Sequence, residues 1–438
     1  MTAENEPRER RRGRTRDQSA RTSALPDQRP FAQPRLRLPP IEVLSADQVE
    51  AIHQASLRLL RDVGLRVLDP ETRGIYESAG ATVRERQVTF DPAMVEAVVK
   101  TAPREFTLHS WKPERSLRIG GDMLAFGTVG SAPNACDLDR GRRTGNRADY
   151  QNFCRLTQML DSIHFVGGYP VEPIDVHASV RHLHASLDIL TLTDRACPVY
   201  SLGRQRNIDV IEMVRIARGR TPDQLDTEPS VFTIVNTNSP LTLDVPMSHG
   251  IIEMARANQV TCVTPFTLAG AMAPITLAGA LAQQNAEALA GLVLTQVVRP
   301  GSPFIYGGFT SNVDMQSGAP AFGTPEYWKT AIAGGQLARR YGVPYRSSNT
   351  CAANAVDAQA AYESMFSLWG AVQGCCNFMM HGAGWMEGGL QASFEKMVID
   401  ADLLHMVSAA LDPVVVDDDS LALGAIAEVG PGGHFFGT

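Results

Sequence analysis

The sequence contains no long uninterrupted apolar segment, although 44% of its 438 residues are hydrophobic. The most apolar stretch runs from Ile275 to Val298 and is broken by four polar residues, Gln283, Gln284, Asn285 and Glu287. A membrane-spanning helix needs about 20 nearly continuous apolar residues. We therefore expect no membrane association and predict a buried helix at this stretch.

Signals for disulfides and for secretion are also missing. The seven cysteines are odd in number and show no C-x-x-C spacing, which favours reduced thiols in a reducing compartment. No apolar segment follows the arginines near the N-terminus, as a secretory signal would require. We expect a cytoplasmic protein.

The chain lacks a net positive charge, and its basic residues cluster only at the N-terminal end. The formal net charge is -7, and the basic runs "RERRRGRTR" and "PDQRPFAQPRLRLPP" both fall within residues 1–40. Because nucleic-acid binding leaves a basic footprint on the folded domain, we expect no nucleic-acid partner. The composition of residues 1–40 predicts a disordered basic, proline-rich arm.

Nucleotide-binding and metal-binding patterns are absent too. No G-x-G-x-x-G opens a helix and there is no Walker loop, which disfavours a nucleotide cofactor. The segment "VHASVRHLHASL" offers His177, His182 and His184, but without a carboxylate or thiolate at ligand spacing. We expect no metal site.

What the chain does contain begins with a mixed region, residues 41–150. The stretch "SADQVEAIHQASLRLLRDVG" predicts an amphipathic helix that Ser45 caps, that Gln48 completes as a capping box and that Gly64 ends. Short strands and a second helix follow. We interpret residues 41–150 as a small α+β N-terminal cap region.

Residues 151–438 alternate short apolar strands with helices. Strands are predicted in "IHFVGGYP", "CPVYSLG", "VFTIVNTNSP", "VTCVTPFTLAG", "SPFIYGGFTSN", "VPYRSSNTC" and "NFMMHGAGW". Helices are predicted at 180–193, 208–218, 248–258, 275–298, 324–341, 358–373 and 393–411. Such βα units imply parallel strands, and with an eighth strand near "LGAIAEVGPGGHFFG" they favour an α/β fold, a (β/α)8 TIM barrel.

Polar and aromatic residues follow the predicted strands at their carboxyl ends, where barrel active sites assemble. The aromatic residues are Tyr169, Tyr200, Phe266, Tyr306, Phe309, Tyr345 and Trp385, and the acidic residues and histidine are Glu172, Asp314, Glu387 and His381. Aromatic faces with carboxylates can bind a cation, such as a methylated ammonium, that donates no hydrogen bonds. Alternatively, the rings serve strand packing alone.

Trp385 and Glu387 are bracketed by glycines, Gly382, Gly384, Gly388 and Gly389. Glycine permits close backbone approach and sharp turns, which would suit a binding loop. The alternative is tight packing, with Glu387 capping the next helix. If the loop binds substrate, Trp385→Ala should abolish binding and leave stability as for an accessible loop residue.

Several long motifs resemble the trimethylamine:corrinoid methyltransferase family. They are "GAMAPITLAGALAQQNAEALAGLVLTQVVRPGSPFIYG", "NVDMQSGAPAFGTPE", "DAQAAYES", "HGAGWMEGGLQASFEKMVIDADLL" and "VGPGGHFFG". The resemblance implies a (β/α)8 barrel that moves a methyl group from a methylated amine to the cobalt of a corrinoid (cobalamin). It also implies that a separate corrinoid protein, docked at the barrel mouth, carries this cofactor, so we expect no tightly bound cofactor in the chain itself.

The chain shows only standard residues, so it resembles the non-pyrrolysine branch of the family, in which glycine betaine demethylation is a known activity. The loop Arg346–Asn354 is our candidate for the pyrrolysine-equivalent position. We predict catalytic roles for Glu387 and His381 and cofactor-binding roles for Gly382, Gly384 and Asp314. The predicted substrate-binding residues are Trp385, Tyr306, Phe309, Tyr345, Tyr200, Asn312 and Arg346; for a betaine substrate, Arg346, His381 and Asn312 would serve the carboxylate. Arg346 could equally contact a phosphate of the corrinoid tail or pair with a neighbouring acid. Glu387 either serves the ammonium end or indicates that the substrate is not a betaine.

Alternatives stay open at this point. They are a trimethylamine-specific methyltransferase, a non-catalytic quaternary-amine-binding barrel, and a lyase with a Schiff-base lysine, for which Lys329 and Lys396 lie in predicted helices. The alanine-rich "LAGALAQQNAEALAGL" suits a homo-oligomer interface or the barrel's own strands. Family members usually continue beyond "GGHFFG", so we expect either a C-terminally truncated barrel domain or a barrel that closes differently from theirs.

Overall fold

The computed structural model describes residues 27–437. The helices are α1 Ala46–Arg58, α2 Pro70–Ser78, α3 Pro92–Val99, α4 Arg147–Met159, α5 Arg181–Leu192, α6 Arg204–Ala217, α7 Pro222–Thr227, α8 Val245–Arg256, α9 Leu277–Val298, α10 Pro325–Tyr341, α11 Ala358–Gln373, α12 Phe394–Ala410, α13 Asp418–Leu421 and α14 Leu423–Val429. The strands are β1 Leu65–Val67, β2 Thr82–Arg84, β3 Gln87–Thr89, β4 Glu105–Leu108, β5 Leu117–Gly120, β6 Ala125–Thr128, β7 Asn134–Asp137, β8 Gly141–Thr144, β9 Cys197–Val199, β10 Val231–Val235, β11 Thr242–Leu243, β12 Val260–Val263, β13 Leu268–Ala269, β14 Phe304–Gly307, β15 Ser311–Val313, β16 Pro320–Ala321, β17 Tyr345–Ser348, β18 Phe378–Ala383, β19 Trp385–Met386 and β20 Gln391–Ser393.

Seven parallel strands form the central sheet, in the order β6-β18-β17-β14-β12-β10-β9. Phe165 lies between the two edge strands and makes parallel bridges to Gly127 on one side and to Ala196 on the other. The sheet is thus closed at an eighth strand position. This confirms the predicted α/β barrel.

The first barrel strand differs from the prediction. The eighth strand expected near the C-terminus is wrong, because that segment forms the exposed helix α14. Its place is taken by β6, which lies within the predicted cap region, so the division at residue 150 separates β6 from the rest of the barrel. The hairpin β7–β8 follows β6 directly, so the alternation of strand and helix cannot be recognised at this point of the sequence.

The barrel interior is filled by a stack of phenylalanines. The Phe165 and Phe378 rings are parallel, with centroids 3.9 Å apart, and Phe232 packs edge-on against both. The hairpin β4–β5 adds Leu108, Leu117 and Ile119 to the same apolar cluster and covers the amino end of the barrel. Within residues 27–437, this leaves the carboxyl end of the barrel for a central cavity.

The N-terminal helix forms as predicted. Ser45 and Gln48 make the reciprocal capping box, and the chain leaves the helix at Gly64 with φ +71°. This helix packs on the outside of α9, where Ser56 Oγ donates to the Ala282 carbonyl oxygen at 2.9 Å. Helix α9 is consequently buried on all sides, as expected.

Within residues 27–437, no helix is both long and apolar enough to cross a bilayer. All seven cysteines are free thiols.

The predicted disordered arm, residues 1–40, is only partly covered by the structure, because residues 1–26 lie outside the described residues. Residues 27–40 pack against the folded domain. Phe31 packs between two guanidinium groups, 4.2 Å from Arg115 and 4.6 Å from Arg195. Gln33 bonds to the backbone of Arg118. The compositional prediction overlooked these contacts because a single ring suffices to anchor a short segment.

The buried His164 makes a pH-dependent contribution to stability. Its Nδ1 accepts a hydrogen bond from the Phe126 amide, and its Nε2 donates to the Ala32 carbonyl oxygen, both at 3.0 Å. A protonated ring could not accept from Phe126. Burial lowers the pKa of His164 from its usual 6.5 to about 4.

Between pH 6.5 and pH 4 the unfolded chain therefore binds a proton at His164 that the folded chain does not. We expect this group to lower the free energy of unfolding by up to about 3 kcal/mol as the pH falls through that window. Denaturant titrations between pH 7 and pH 4 should show that the free energy of unfolding falls less steeply with decreasing pH in His164→Gln than in the wild type. The same pH dependence in both proteins would contradict this role of His164.

Candidate active site

A cavity of about 600 Å³ lies at the carboxyl end of the barrel. Its lining comes from the ends of β9, β10, β17 and β18 and from the loops that follow β6, Phe165, β9, β10, β12, β14 and β18. This is the face at which barrel enzymes place their active sites.

Aromatic rings form one wall of the cavity around Phe309. The Phe266 ring lies 5.1 Å from Phe309, and the Trp385 ring stacks on His381 with centroids 5.2 Å apart and planes at 16°. Tyr200 lines another part of the cavity and stacks on Tyr169 at 4.7 Å. The structure thus brings together four of the predicted aromatic residues: Tyr200, Phe266, Phe309 and Trp385.

Trp385 is far less accessible than expected, with 4% of its surface exposed. Truncating a buried tryptophan to alanine costs about 3–5 kcal/mol. The expectation that Trp385→Ala affects stability only as a change at an accessible loop residue would is therefore wrong, and a less drastic substitution is needed to probe binding.

Arg346 contributes the only charged side chain among the described residues that line the cavity. It is 2% exposed, and its guanidinium carbon lies 5.0 Å from the Phe309 ring centroid. Nη1 donates to the Gly308 carbonyl oxygen at 3.3 Å, while the buried Nε has no partner. Within residues 27–437 it makes no ion pair with a carboxylate, and burial lowers the pKa of its guanidinium.

His381 faces the cavity because strand β18 is irregular at that point. The pairing of β18 with β6 shifts register between Met379 and Ala383, and His381 has φ +57°. Bulges of this kind re-aim side chains beside active sites. Its Nδ1 lies 3.1 Å from Ser348 Oγ. Burial, reinforced by the Arg346 charge, lowers the pKa of His381 well below its usual value, so the ring is neutral at physiological pH.

Two predicted substrate-binding tyrosines point away from the cavity. Tyr306 donates its hydroxyl to Asn285 Oδ1 at 2.9 Å, and Tyr345 donates to the Ala331 carbonyl oxygen at 2.7 Å. Successive strand residues face opposite sides of a sheet. Since Arg346 faces inward, its neighbour Tyr345 packs against the outer helices.

Asn312 and Asp314 also lie off the cavity. Asn312 Oδ1 accepts a hydrogen bond from Thr324 Oγ1 at 3.1 Å. Asp314 is exposed and accepts from the amides of Gln316 and Ser317 in a tight turn, both at 3.1 Å. Both belong to the antiparallel pair β15–β16, which lies outside the barrel sheet. The spacing of residues in the sequence did not predict this pair.

Glu387 does not line the cavity, although Gly388 and Gly389 do. Its carboxylate pairs with Arg142 of the hairpin β7–β8, with Nη1 and Oε1 3.0 Å apart. Glu172, likewise, pairs with Arg181 at 2.8 Å. No carboxylate among the described residues therefore faces the cavity.

Gly382 and Gly384 are explained by packing. A Cβ on Gly382 would approach the Gly127 carbonyl oxygen to 2.7 Å, and one on Gly384 would lie 3.2 Å from Met397 Cβ. Gly384 also has φ +94°, which favours glycine.

Comparison with known proteins identifies the family. A family model described as trimethylamine methyltransferase (MTTB) matches residues 10–438. The chain belongs to this family. It is a methyltransferase, and the resemblance inferred from its motifs is confirmed.

This methyltransferase is 35% identical to the glycine betaine methyltransferase of Desulfitobacterium hafniense over 399 residues, which cover 91% of this chain and 83% of that protein. It is 28% identical to the trimethylamine methyltransferase of Methanosarcina barkeri over 408 residues, covering 90% and 81%. The crystal structure of the monomethylamine methyltransferase of Methanosarcina barkeri aligns with a TM-score of 0.49 and 10% identity, covering 84% and 79%.

The methyltransferase has a polar wall that sequence reasoning missed. Its members follow β10 and are Asn236, Thr237, Asn238 and Ser239. The buried Glu287 fixes this loop by accepting hydrogen bonds from Thr237 Oγ1, from Ser239 Oγ at 2.7 Å and from the Leu241 amide at 2.8 Å. The run of short polar residues after a strand was the available signal.

One group of described side chains could hold a metal ion, and it lies outside the barrel mouth. It consists of Asp69, Glu71 and His249. Glu71 already pairs with Arg204 and with Arg256, and the Asp69 carboxylate caps helix α2. These partners satisfy the carboxylates without an ion.

Proposed function

We propose that this methyltransferase demethylates a betaine, a quaternary amine that carries a carboxylate, and passes the methyl group to the corrinoid of a separate corrinoid protein. The observation that carries the proposal is Arg346, a buried cation that lines the cavity without a carboxylate partner. An uncompensated buried charge is costly. A substrate carboxylate would supply the missing counter-charge and a charge-assisted hydrogen bond.

The opposite end of such a substrate suits the aromatic wall. A trimethylammonium group cannot donate hydrogen bonds, but it is attracted to the faces of Phe309, Phe266 and Trp385. The neutral His381 adds no positive charge that would repel it. The relative named glycine betaine methyltransferase, at 35% identity, supports the same substrate class.

No carboxylate side chain among the described residues lines the cavity, and this fits the chemistry of a quaternary amine. When its C–N bond breaks, the electron pair stays on nitrogen and a neutral tertiary amine leaves, so no general acid is needed. The chain then has to hold the substrate in line with the methyl acceptor. Arg346 anchors one end, and the rings orient the other.

The methyl acceptor supplies the nucleophile, the reduced cobalt of the corrinoid. The glycines that line the cavity are compatible with its approach, since they carry no side chains that would obstruct a flat ring; they are Gly130, Gly167, Gly168, Gly388 and Gly389.

Calorimetric titration with glycine betaine, choline and trimethylamine, followed by an absorbance assay with cob(I)alamin as acceptor, tests the proposal. We expect glycine betaine to bind and to methylate the corrinoid, and the other two amines to do so at least about tenfold less efficiently. Methylation by trimethylamine alone would identify a trimethylamine-specific enzyme. Binding of glycine betaine without methylation, under conditions in which a known corrinoid methyltransferase reacts, would favour a binding protein.

A further inference from the structure

Two charged side chains are completely buried behind the strands that carry His381 and Trp385. Lys396 and Asp400 lie one turn apart on α12, and each is 0% exposed. Lys396 Nζ contacts Asp400 Oδ1 and donates to Ser364 Oγ at 2.6 Å. Neither lines the cavity. Because desolvation offsets the attraction within buried ion pairs, stability alone does not account for this pair.

The second oxygen of Asp400 holds the backbone next to Trp385. The Gly384 amide donates to Asp400 Oδ2 at 2.9 Å, and the Gly384 carbonyl oxygen accepts from the Ser393 amide at 3.0 Å. Both backbone groups of Gly384 are therefore tied to the start of α12 and to its buried pair. The left-handed conformation at Gly384 turns the chain so that Trp385 enters the cavity wall.

Small movements of Gly384 would be transmitted to the ring. Trp385 stacks on His381, and a Cβ on Gly389 would lie 2.9 Å from Trp385 Cζ2, so the indole is clamped between close neighbours. Asn349 Nδ2 donates to the Gly382 carbonyl oxygen at 3.0 Å and steadies the same turn. Displacements of about 1 Å in a substrate-binding wall can lower activity about 100-fold.

We propose that Lys396 and Asp400 are a positioning pair for the substrate site. Asp400 fixes Gly384 through its amide, and Lys396 holds the other oxygen of the Asp400 carboxylate. The pair thereby sets the position of the Trp385 ring. Its effect on substrate binding rests on the proposed function; its effect on the Gly384 turn does not.

Two double variants separate the hydrogen bond from the charges. Lys396→Met with Asp400→Asn removes both charges and keeps an acceptor for the Gly384 amide, whereas Lys396→Met with Asp400→Leu removes the acceptor as well. Amide hydrogen exchange of the peptide spanning residues 384–389 should be at least about tenfold faster in the leucine variant. Glycine betaine should bind about tenfold more weakly to it, and within about threefold of wild type to the asparagine variant.

Equal exchange in the two variants would overturn the positioning role, whether or not any amine binds. Faster exchange with unchanged glycine betaine affinity would overturn the link to the substrate site. If wild type does not bind glycine betaine, the proposed function fails while the exchange comparison still decides the role of the pair. Should the leucine variant not fold, Lys396→Met with Asp400→Val replaces it.

Discussion

Arg346→Met is expected to weaken binding of glycine betaine about 100-fold or more while leaving thermal stability unchanged or raised. Truncating one partner of a buried, hydrogen-bonded charge pair costs about 2–5 kcal/mol of binding free energy, and 2.7 kcal/mol corresponds to about 100-fold. In the free enzyme the same guanidinium has no carboxylate partner within the described residues. Replacing it by an apolar side chain therefore removes a desolvation cost rather than an ion pair.

Choline distinguishes loss of the charge from damage to the cavity. It carries the same trimethylammonium group without a carboxylate, so Arg346→Met should bind choline at least as well as wild type does. Calorimetry with both ligands, together with thermal unfolding, checks these outcomes. Unchanged glycine betaine affinity in Arg346→Met would refute the role of Arg346.

Arg195 provides a matched control for this substitution. It is as buried as Arg346 but pairs with Asp194 at 2.9 Å, and it lies near the amino end of the barrel, beside Phe31. Arg195→Met removes the charge-assisted hydrogen bond to Asp194 Oδ1, while Asp194 Oδ2 keeps its ion pair with Lys112 at 3.0 Å, and it should lower the free energy of unfolding by about 1.5–3 kcal/mol. Its affinity for glycine betaine should stay at the wild-type value.

Trp385→Leu is expected to weaken glycine betaine binding about 30-fold. A desolvated cation–π contact contributes about 2 kcal/mol, which corresponds to about 30-fold in affinity. The carbon isostere 3,3-dimethylbutanoate has the same shape and the same carboxylate but no positive charge. Its affinity should change by less than about threefold, because it makes no cation–π contact with the ring.

Trp328→Leu is the control for the stability cost of losing an indole. Trp328 stacks on Phe366 on the outer helices α10 and α11, away from the cavity. The Trp328→Leu variant should have a lower free energy of unfolding, but unchanged affinities for glycine betaine and for 3,3-dimethylbutanoate. If Trp385→Leu weakened both ligands equally, the ring would act through shape and packing, and the cation–π interpretation would fail.

The local elements of the barrel could be predicted from the sequence, whereas its closure could not. Strands β9, β10, β12, β14, β17 and β18 each fall within a predicted segment, because an apolar run followed by polar residues and a helix is a local pattern. Strand β6 is four residues long and is followed by a hairpin. Its membership in the barrel depends on pairing with β18, more than 250 residues away.

The location of the candidate site could be predicted from the sequence, but the residues that line it could be predicted only in part. Aromatic residues after the strands do gather at the carboxyl end, since parallel strands present those ends to one face. Which of them reach the cavity depends on the phase of each strand: Arg346 faces inward and Tyr345 outward. The position of Glu387 beside Trp385 in the sequence suggested that it binds a cation. In the structure its carboxylate instead accepts a hydrogen bond from Arg142, which is 245 residues away in sequence.

By itself, the sequence determined the α/β class, the alternation of barrel strands and helices from β9 to α12, the capping box of α1 and the family. These rest on hydrogen bonds between near neighbours and on motifs that are read directly. Only the tertiary structure decided where the barrel closes, that Glu387 is neutralised outside the cavity, that Arg346 lines it without a partner, and that Lys396 and Asp400 hold Gly384. Those outcomes depend on which distant side chains the closed barrel brings within a few ångströms, and no local pattern encodes such distances.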